Sequence, residues 1–143
     1  MIKLAELLKE EIFPFKEHDI TYDEMEDDDT ILSVDYTFTT PDNQYKVSFY
    51  SGEYMPEDKT FDISFGLDKG YGYKLDTFEL TGEGRIYSIL QTICKIIEQF
   101  VREYGDQVEK LNVTGTSKER SRVYKALIPK YLDPAIMQML TIE

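Results

Sequence analysis

Between residues 81 and 104 the chain reads TGEGRIYSILQTICKIIEQFVREY, with apolar side chains at Ile86, Ile89, Leu90, Ile93, Ile97, Phe100, Val101 and Tyr104. Three- and four-residue spacing of this kind lays one wide apolar stripe along an α-helix. A helix of about 20 residues is about 30 Å long, enough to lie across a small sheet. The stripe must be covered, so the rest of the chain has to supply a second layer. Gly82 and Gly84 precede the helix and Gly105 closes it, where a left-handed C-terminal residue costs glycine least.

The second layer is legible upstream, where the apolar period changes to two. In Ile31–Thr39, Leu32, Val34, Tyr36 and Phe38 alternate with Ser33, Asp35, Thr37 and Thr39, the pattern of a strand with one wet face. Thr40-Pro41-Asp42-Asn43 predicts a turn. A second strand places Tyr45, Val47 and Phe49 inward, and a loop runs from Gly52 to Asp58 around Met55-Pro56. A third strand carries Phe61, Ile63 and Phe65, and Asp68-Lys69-Gly70 predicts a turn into a fourth over 71–80. Consecutive alternating strands joined by short turns predict an antiparallel meander.

The flanks add helices. Residues 2–12 read as a short helix stopped by Pro14, and residues 17–29 as an acidic solvated loop with a short strand at 19–22. After the main helix, residues 108–114 predict a strand with Leu111 and Val113 on one face. Ser117 then caps a second helix lined by Val123, Leu127 and Tyr131. Pro129 is expected to end or kink that helix near Ile128. Asp133-Pro134 opens a last short helix through Ile136, Met137 and Leu140. The expected fold is α+β: a mainly antiparallel sheet of four or five strands with helices on one face, in the order α-β-β-β-β-α-β-α-α, as a single domain over 1–143.

Charge narrows the partners. The net charge of −12 divides as −8 over residues 1–29, −5 over 30–81 and +1 over 82–143. Binding of nucleic acid across the whole surface needs basic footprints and is disfavoured; a basic protein partner is favoured. No run of about 18 apolar residues suggests a membrane span. The N-terminus has charges within its apolar stretch and no cleavage site of a secretory signal. The single cysteine, Cys94, lies on or beside the apolar stripe and reads as a buried small hydrophobe of a cytosolic protein.

The succession TGEGRIYSILQTICKIIEQF, VEKLNVTG and SKERSRVYKALIPKYL resembles a family of small uncharacterised proteins of tailed bacteriophages. The shared features are a Thr-Gly-x-Gly turn opening a long helix, a strand, and a helix carrying arginine and tyrosine, here Arg120, Arg122 and Tyr124. The resemblance covers roughly residues 78–132. It implies a viral origin, an α+β fold and a place in the host cytoplasm or the virion, and it implies no activity.

Candidate chemistry is sparse. Gly82-Glu83-Gly84 lacks the third small residue of a dinucleotide-binding turn, since Tyr87 stands there. The acidic run Glu26, Asp27, Asp28 and Asp29 has no calcium-loop spacing, and neither has the segment 68–79, so no metal and no cofactor is expected. His18 is the only histidine and is far in sequence from Cys94, which argues against a Cys–His pair. Gly115, Thr116, Ser117, Lys118, Arg120 and Arg122 form the one local basic cluster at a helix start and are the candidate anion site. Tyr50, Tyr54, Tyr71 and Tyr73 flank two loops and are the candidate partner-binding residues, because tyrosine joins rigid area to a polar tip.

Three functions follow as expectations. The first is a non-enzymatic, phage-encoded accessory protein that binds a host or viral protein, with self-association through an exposed edge strand as a variant. The second is an acidic mimic of duplex DNA, motivated by a charge of −13 over residues 1–81. The third is a nucleotide- or anion-binding or modifying protein that uses the 115–122 turn.

Overall fold

Val34, Tyr36 and Phe38 on one strand, Tyr45, Val47 and Phe49 on the next, and Phe61, Ile63 and Phe65 on a third are all buried. These are the inward sets that period-two patterning singles out. The structure is a computed structural model that describes residues 12–22, 29–52, 54–68, 86–113 and 118–143. Its elements are β1 (Phe15–Tyr22), β2 (Ile31–Thr39), β3 (Gln44–Tyr50), β4 (Thr60–Leu67), α1 (Ile86–Tyr104), β5 (Lys110–Val113), α2 (Lys118–Tyr131), α3 (Pro134–Met137) and β6 (Leu140–Ile142). The six strands form one sheet in the order β1-β2-β3-β4-β5-β6. The pairings β1–β2, β2–β3 and β3–β4 are antiparallel, whereas β4–β5 and β5–β6 are parallel.

The fold is therefore α+β with a larger and more mixed sheet than the sequence predicts. Two strands account for the difference. β1 extends back to Phe15, into the stretch expected to be mostly loop. Its register with β2 slips between Glu17 and Asp19, so one extra residue lets Phe15 and Ile20 oppose Phe38 and Val34 although they lie five apart. That bulge erases the alternation by which a strand is recognised. At the other end, Leu140 belongs to β6 and not to the last helix. The helix stops at Met137, and Leu140 pairs with Leu111 and Ile142 with Val113.

The antiparallel meander expected before α1 holds over β2, β3 and β4, and the parallel pairings lie beyond it. β4 and β5 lie side by side and run the same way, with α1 between them in sequence. Such a connection must cross over the sheet, and the long amphipathic helix is what crosses. The N-terminal helix expected at 2–12, the strand at 71–80 and the Gly82/Gly84 entry fall, apart from Ile12, outside the described residues.

Both long helices pack on the same sheet face. Phe100 of α1 is 0% exposed; its ring stacks on Phe49 at 4.0 Å between centroids and meets Phe61 edge-on at 5.2 Å. Tyr124 of α2 lies against Phe65 with centroids 5.1 Å apart. Ile89, Leu90, Ile93, Ile96 and Ile97 complete the buried stripe, and the Phe13 amide donates to Thr92 Oγ1 at 3.0 Å. Cys94 is fully buried, as its place beside the stripe suggests, and burial pushes its thiol up to about 12. α2 runs through Pro129 to Tyr131, where a stop or kink near Ile128 is the sequence expectation. In the last turn a proline removes only one helical hydrogen bond, and the Leu132 amide still reaches Ile128 O at 3.0 Å. Asp133 caps α3 as expected, its Oδ1 accepting from the Ala135 amide at 2.8 Å.

Candidate functional site

The opposite face of the sheet is polar. One row across it reads Thr21, Ser33, Tyr50, Asp62, Asn112 and Thr141, each paired with the next. Asp62 is the hub at its β4–β5 end. Tyr54 Oη donates to Asp62 Oδ1 at 2.7 Å and accepts from Asn112 Nδ2 at 3.1 Å. The hydrogen bond to Asp62 holds the Tyr54 hydroxyl above its ordinary value, because ionising the phenol would set two anions against each other. In the neighbouring row Ser48 Oγ donates to Asp35 Oδ1 at 2.6 Å.

This network anchors the loop between β3 and β4. The Ser51 amide donates to Leu32 O at 2.9 Å, and the Ser51 hydroxyl lies 3.2 Å from the Ile31 and Leu32 carbonyls. The Tyr54 amide returns to Ser51 O at 3.0 Å, and the Asp58 amide closes on Met55 O at 3.0 Å. The Tyr50 ring rests directly on the Gly52 backbone: a Cβ at Gly52 would lie 1.9 Å from Tyr50 Oη, so a larger residue there would push the Tyr50 ring aside. Lys59 ends the loop with φ 49°, and its carbonyl accepts the amides of Glu109 at 2.8 Å and Lys110 at 3.1 Å. These bonds start the parallel β4–β5 pairing, in which Thr60 faces Lys110.

Between this loop and the start of β2 lies a cleft of about 360 Å³. Its lining includes Tyr54, Met55, Lys59 and Gln107, together with the almost fully buried Ile31 and Phe61. Gln107 ties the cleft to the segment after α1, accepting from the Ile31 amide at 2.9 Å and donating to Asp29 O at 2.7 Å. Met55 is 61% exposed and Tyr50 41%, so two large side chains stand open beside it. Pockets of this size suit a small ligand or an inserted side chain.

A second arrangement sits where β1 meets the end of α1. Glu17 faces Tyr36 across the β1–β2 ladder, and Tyr104 Oη donates to Glu17 Oε2 at 3.0 Å. Burial, with the neighbouring Glu103 carboxylate, raises Glu17 above the usual carboxylate range despite the opposing pull of the Tyr104 hydrogen bond. Tyr36 is 1% exposed, and its hydroxyl has no hydrogen-bond partner among the described residues. Burial first, then the Glu103 and Glu17 charges, makes that hydroxyl very hard to ionise.

Of the residues singled out in the sequence, Tyr50 ends β3 beside the loop, and Tyr54, expected to flank it, lies within it and lines the cleft. Tyr71 and Tyr73 lie outside the described residues. So do Gly115, Thr116 and Ser117. Lys118 and Arg122 are exposed and Arg120 half-buried in the first half of α2, and none of the three lines the cleft. Glu26, Asp27 and Asp28 are outside the described residues, while Asp29 lends its carbonyl to Gln107. His18 is exposed in the bulge of β1, whereas Cys94 is enclosed in the core. Sequence reading did not find Lys59, Asp62, Gln107 or Asn112, because pairing across β4 and β5 is what brings them together. Among the described residues no group of three or more His, Cys, Asp or Glu could hold a metal ion, and no helix is long and apolar enough to cross a membrane.

Residues 21–142 match the model of a family of unknown function, DUF6934, and the chain belongs to that family. No curated protein and no solved structure matches it. The family match carries no tie to bacteriophage proteins, and it names neither an activity nor a partner.

Proposed function

We propose that this family member is a non-enzymatic binding protein that receives one apolar residue of a protein partner in the cleft beside the 51–59 loop. The observation that carries this reading is the exposure of Met55 and Tyr50 beside a cleft whose lining is held by hydrogen bonds. Large exposed side chains next to a preformed hollow are the usual anatomy of an interaction hot spot. Tyr54 is braced by Asp62 and Asn112, so little order is lost when a partner packs on it. The cleft hydroxyls serve the backbone: Ser51 lies against the Ile31 and Leu32 carbonyls and Thr60 donates to Asp58 O. Neither is set up beside a base as a nucleophile would be. With a net charge of −12, the long-range field favours a partner that is basic over most of its surface.

The test is a tagged pulldown of the wild type beside Met55→Asp, read by mass spectrometry. A partner that the wild type recovers and Met55→Asp loses, with circular dichroism and Tm unchanged, is the expected result. Equal recovery by both proteins would refute the cleft as the contact.

A further inference from the structure

β1 is an edge of the sheet: β2 pairs with it on one side, and among the described residues no strand lies on the other. An edge strand offers its outer amides and carbonyls to another chain, and charges or bulges normally blunt it. β1 carries both, within Phe15-Lys16-Glu17-His18-Asp19-Ile20. Laid antiparallel against itself, that stretch sets Phe15 against Ile20, Lys16 against Asp19 and Glu17 against His18. Apolar meets apolar, and each carboxylate meets a nitrogen-bearing side chain. In a regular strand this match would fail, because residues three or five apart point to opposite faces. The slip between Glu17 and Asp19 removes the obstacle. Phe15 and Ile20 face Phe38 and Val34 on the helix-covered side, while Lys16 and Asp19 face Thr37 and Asp35 on the polar side. A two-fold axis perpendicular to the sheet then brings like faces together.

We infer that the chain associates with a second copy of itself by antiparallel pairing of β1 with β1, the axis passing between Glu17 and His18. Charge sets the register. A slip of one residue either way puts Glu17 opposite the partner's Glu17 or the partner's Asp19, and like charges directly opposed destabilise a sheet. Within one copy these charges are unmatched: Asp19 lies across the ladder from Asp35, and neither Lys16 nor Asp19 makes an ion pair among the described residues. Lys16 and Asp19 are exposed, and Phe15 and Ile20 only partly buried. A second copy gives Asp19 a cation and covers the open parts of both apolar side chains. Pro14, with no amide to donate, ends the pairing. None of residues 15–20 lines the cleft, so this surface is additional to the proposed contact and independent of it. The interface is short, and a weak dimer with a Kd on the order of 100 µM is expected.

Sedimentation equilibrium of the full chain tests this, run up to about 1 mM protein. Each copy carries −12, so the buffer holds about 0.15 M salt to screen long-range repulsion. Lys16→Asp and Asp19→Lys should each weaken the dimer about tenfold, because the axis repeats the pair and each reversal opposes like charges twice. The double variant Lys16→Asp/Asp19→Lys restores the opposition and should return to within about twofold of wild type. An equimolar mixture of Lys16→Cys and Asp19→Cys should form a disulfide-linked heterodimer on mild oxidation much faster than either variant alone, since directly opposed residues lie within disulfide reach. Cys94 is fully buried and stays silent. A chain that remains monomeric throughout, a dimer indifferent to both reversals, a double variant that is not restored, or a mixture that crosslinks no faster than the single variants would each overturn the inference. Met55→Asp should dimerise as wild type does; loss of the dimer in that variant would place the self-contact at the cleft and not at β1.

Discussion

Replacing Tyr36 by phenylalanine removes one oxygen atom that has no hydrogen-bond partner among the described residues. Tyr36 is 1% exposed, pairs with Glu17 on one side and Val47 on the other, and meets Phe15 and Phe49 edge-on at 6.4 and 5.8 Å. The phenylalanine ring keeps those ring contacts. What changes is the hydroxyl, whose burial without a hydrogen bond costs about 1–3 kcal/mol. The small void left behind takes back a fraction of this, because one heavy atom is lost from close packing. The net expectation is a gain of about 1–2 kcal/mol, or roughly 3 °C in Tm for each kcal/mol in a chain of this size. Urea unfolding followed by far-ultraviolet circular dichroism measures it, and an unchanged m-value assigns the gain to stability and not to a new unfolded state. A loss of 1 kcal/mol or more would refute the reasoning, since it would mean that the hydroxyl is bonded in solution and holds β2 in place.

Two further expectations concern the same layer. Glu17→Gln keeps an acceptor for Tyr104 Oη but cannot ionise. Because the folded state raises the Glu17 pKa, its protonated form contributes stability below the ordinary carboxylate value, and that contribution is lost as pH rises through the raised folded value. The variant should match wild type near pH 4 and exceed it at pH 7; thermal melts across that range check the crossing, and a deficit at pH 7 would contradict it. Phe100→Ala deletes the ring that joins Phe49, Phe61 and Tyr104 and should cost about 3–5 kcal/mol; a loss below 1 kcal/mol in denaturant titration would show that α1 does not bear on β3 and β4 as the ring contacts require.

Which parts of the molecule the sequence discloses follows from the range of the interactions that specify them. β2, β3, β4 and α1 are specified locally, by alternation over 7–9 residues or by a helical stripe over 19, and most of their inward residues are legible, although Ile31 is buried where alternation pointed to Leu32 and the stripe as read omits the buried Ile96. β1 is hidden by its bulge. β6 is hidden because three residues, Leu140, Thr141 and Ile142, are too few to display a period, and only β5 beside them makes them a strand. Parallel pairing of β4 with β5 is likewise invisible, since the partners Thr60 and Lys110 are 50 residues apart. The cleft inherits this. Tyr54 and the loop around Met55 are recognisable from local composition, whereas Asn112, Gln107 and the conformation of Lys59 exist only once β5 has docked.

That dependence makes the candidate site a consequence of the crossover and not of the loop alone. Glu109 and Lys110 donate to the Lys59 carbonyl, Asn112 donates to Tyr54, and Gln107 bridges Ile31 to Asp29. All four lie in the eight residues that follow α1. The helix that needed a sheet to cover its apolar stripe also delivers, at its C-terminal end, the groups that brace the lining of the cleft. Mutations in the stripe should then reach binding without touching the cleft. If β5 is displaced, Lys59 loses the two bonds that hold it left-handed, and an L-residue so released relaxes to negative φ and no longer ties the end of the loop to the sheet. The order of the candidate cleft is borrowed from the core and is as stable as the packing of Phe100 on Phe49.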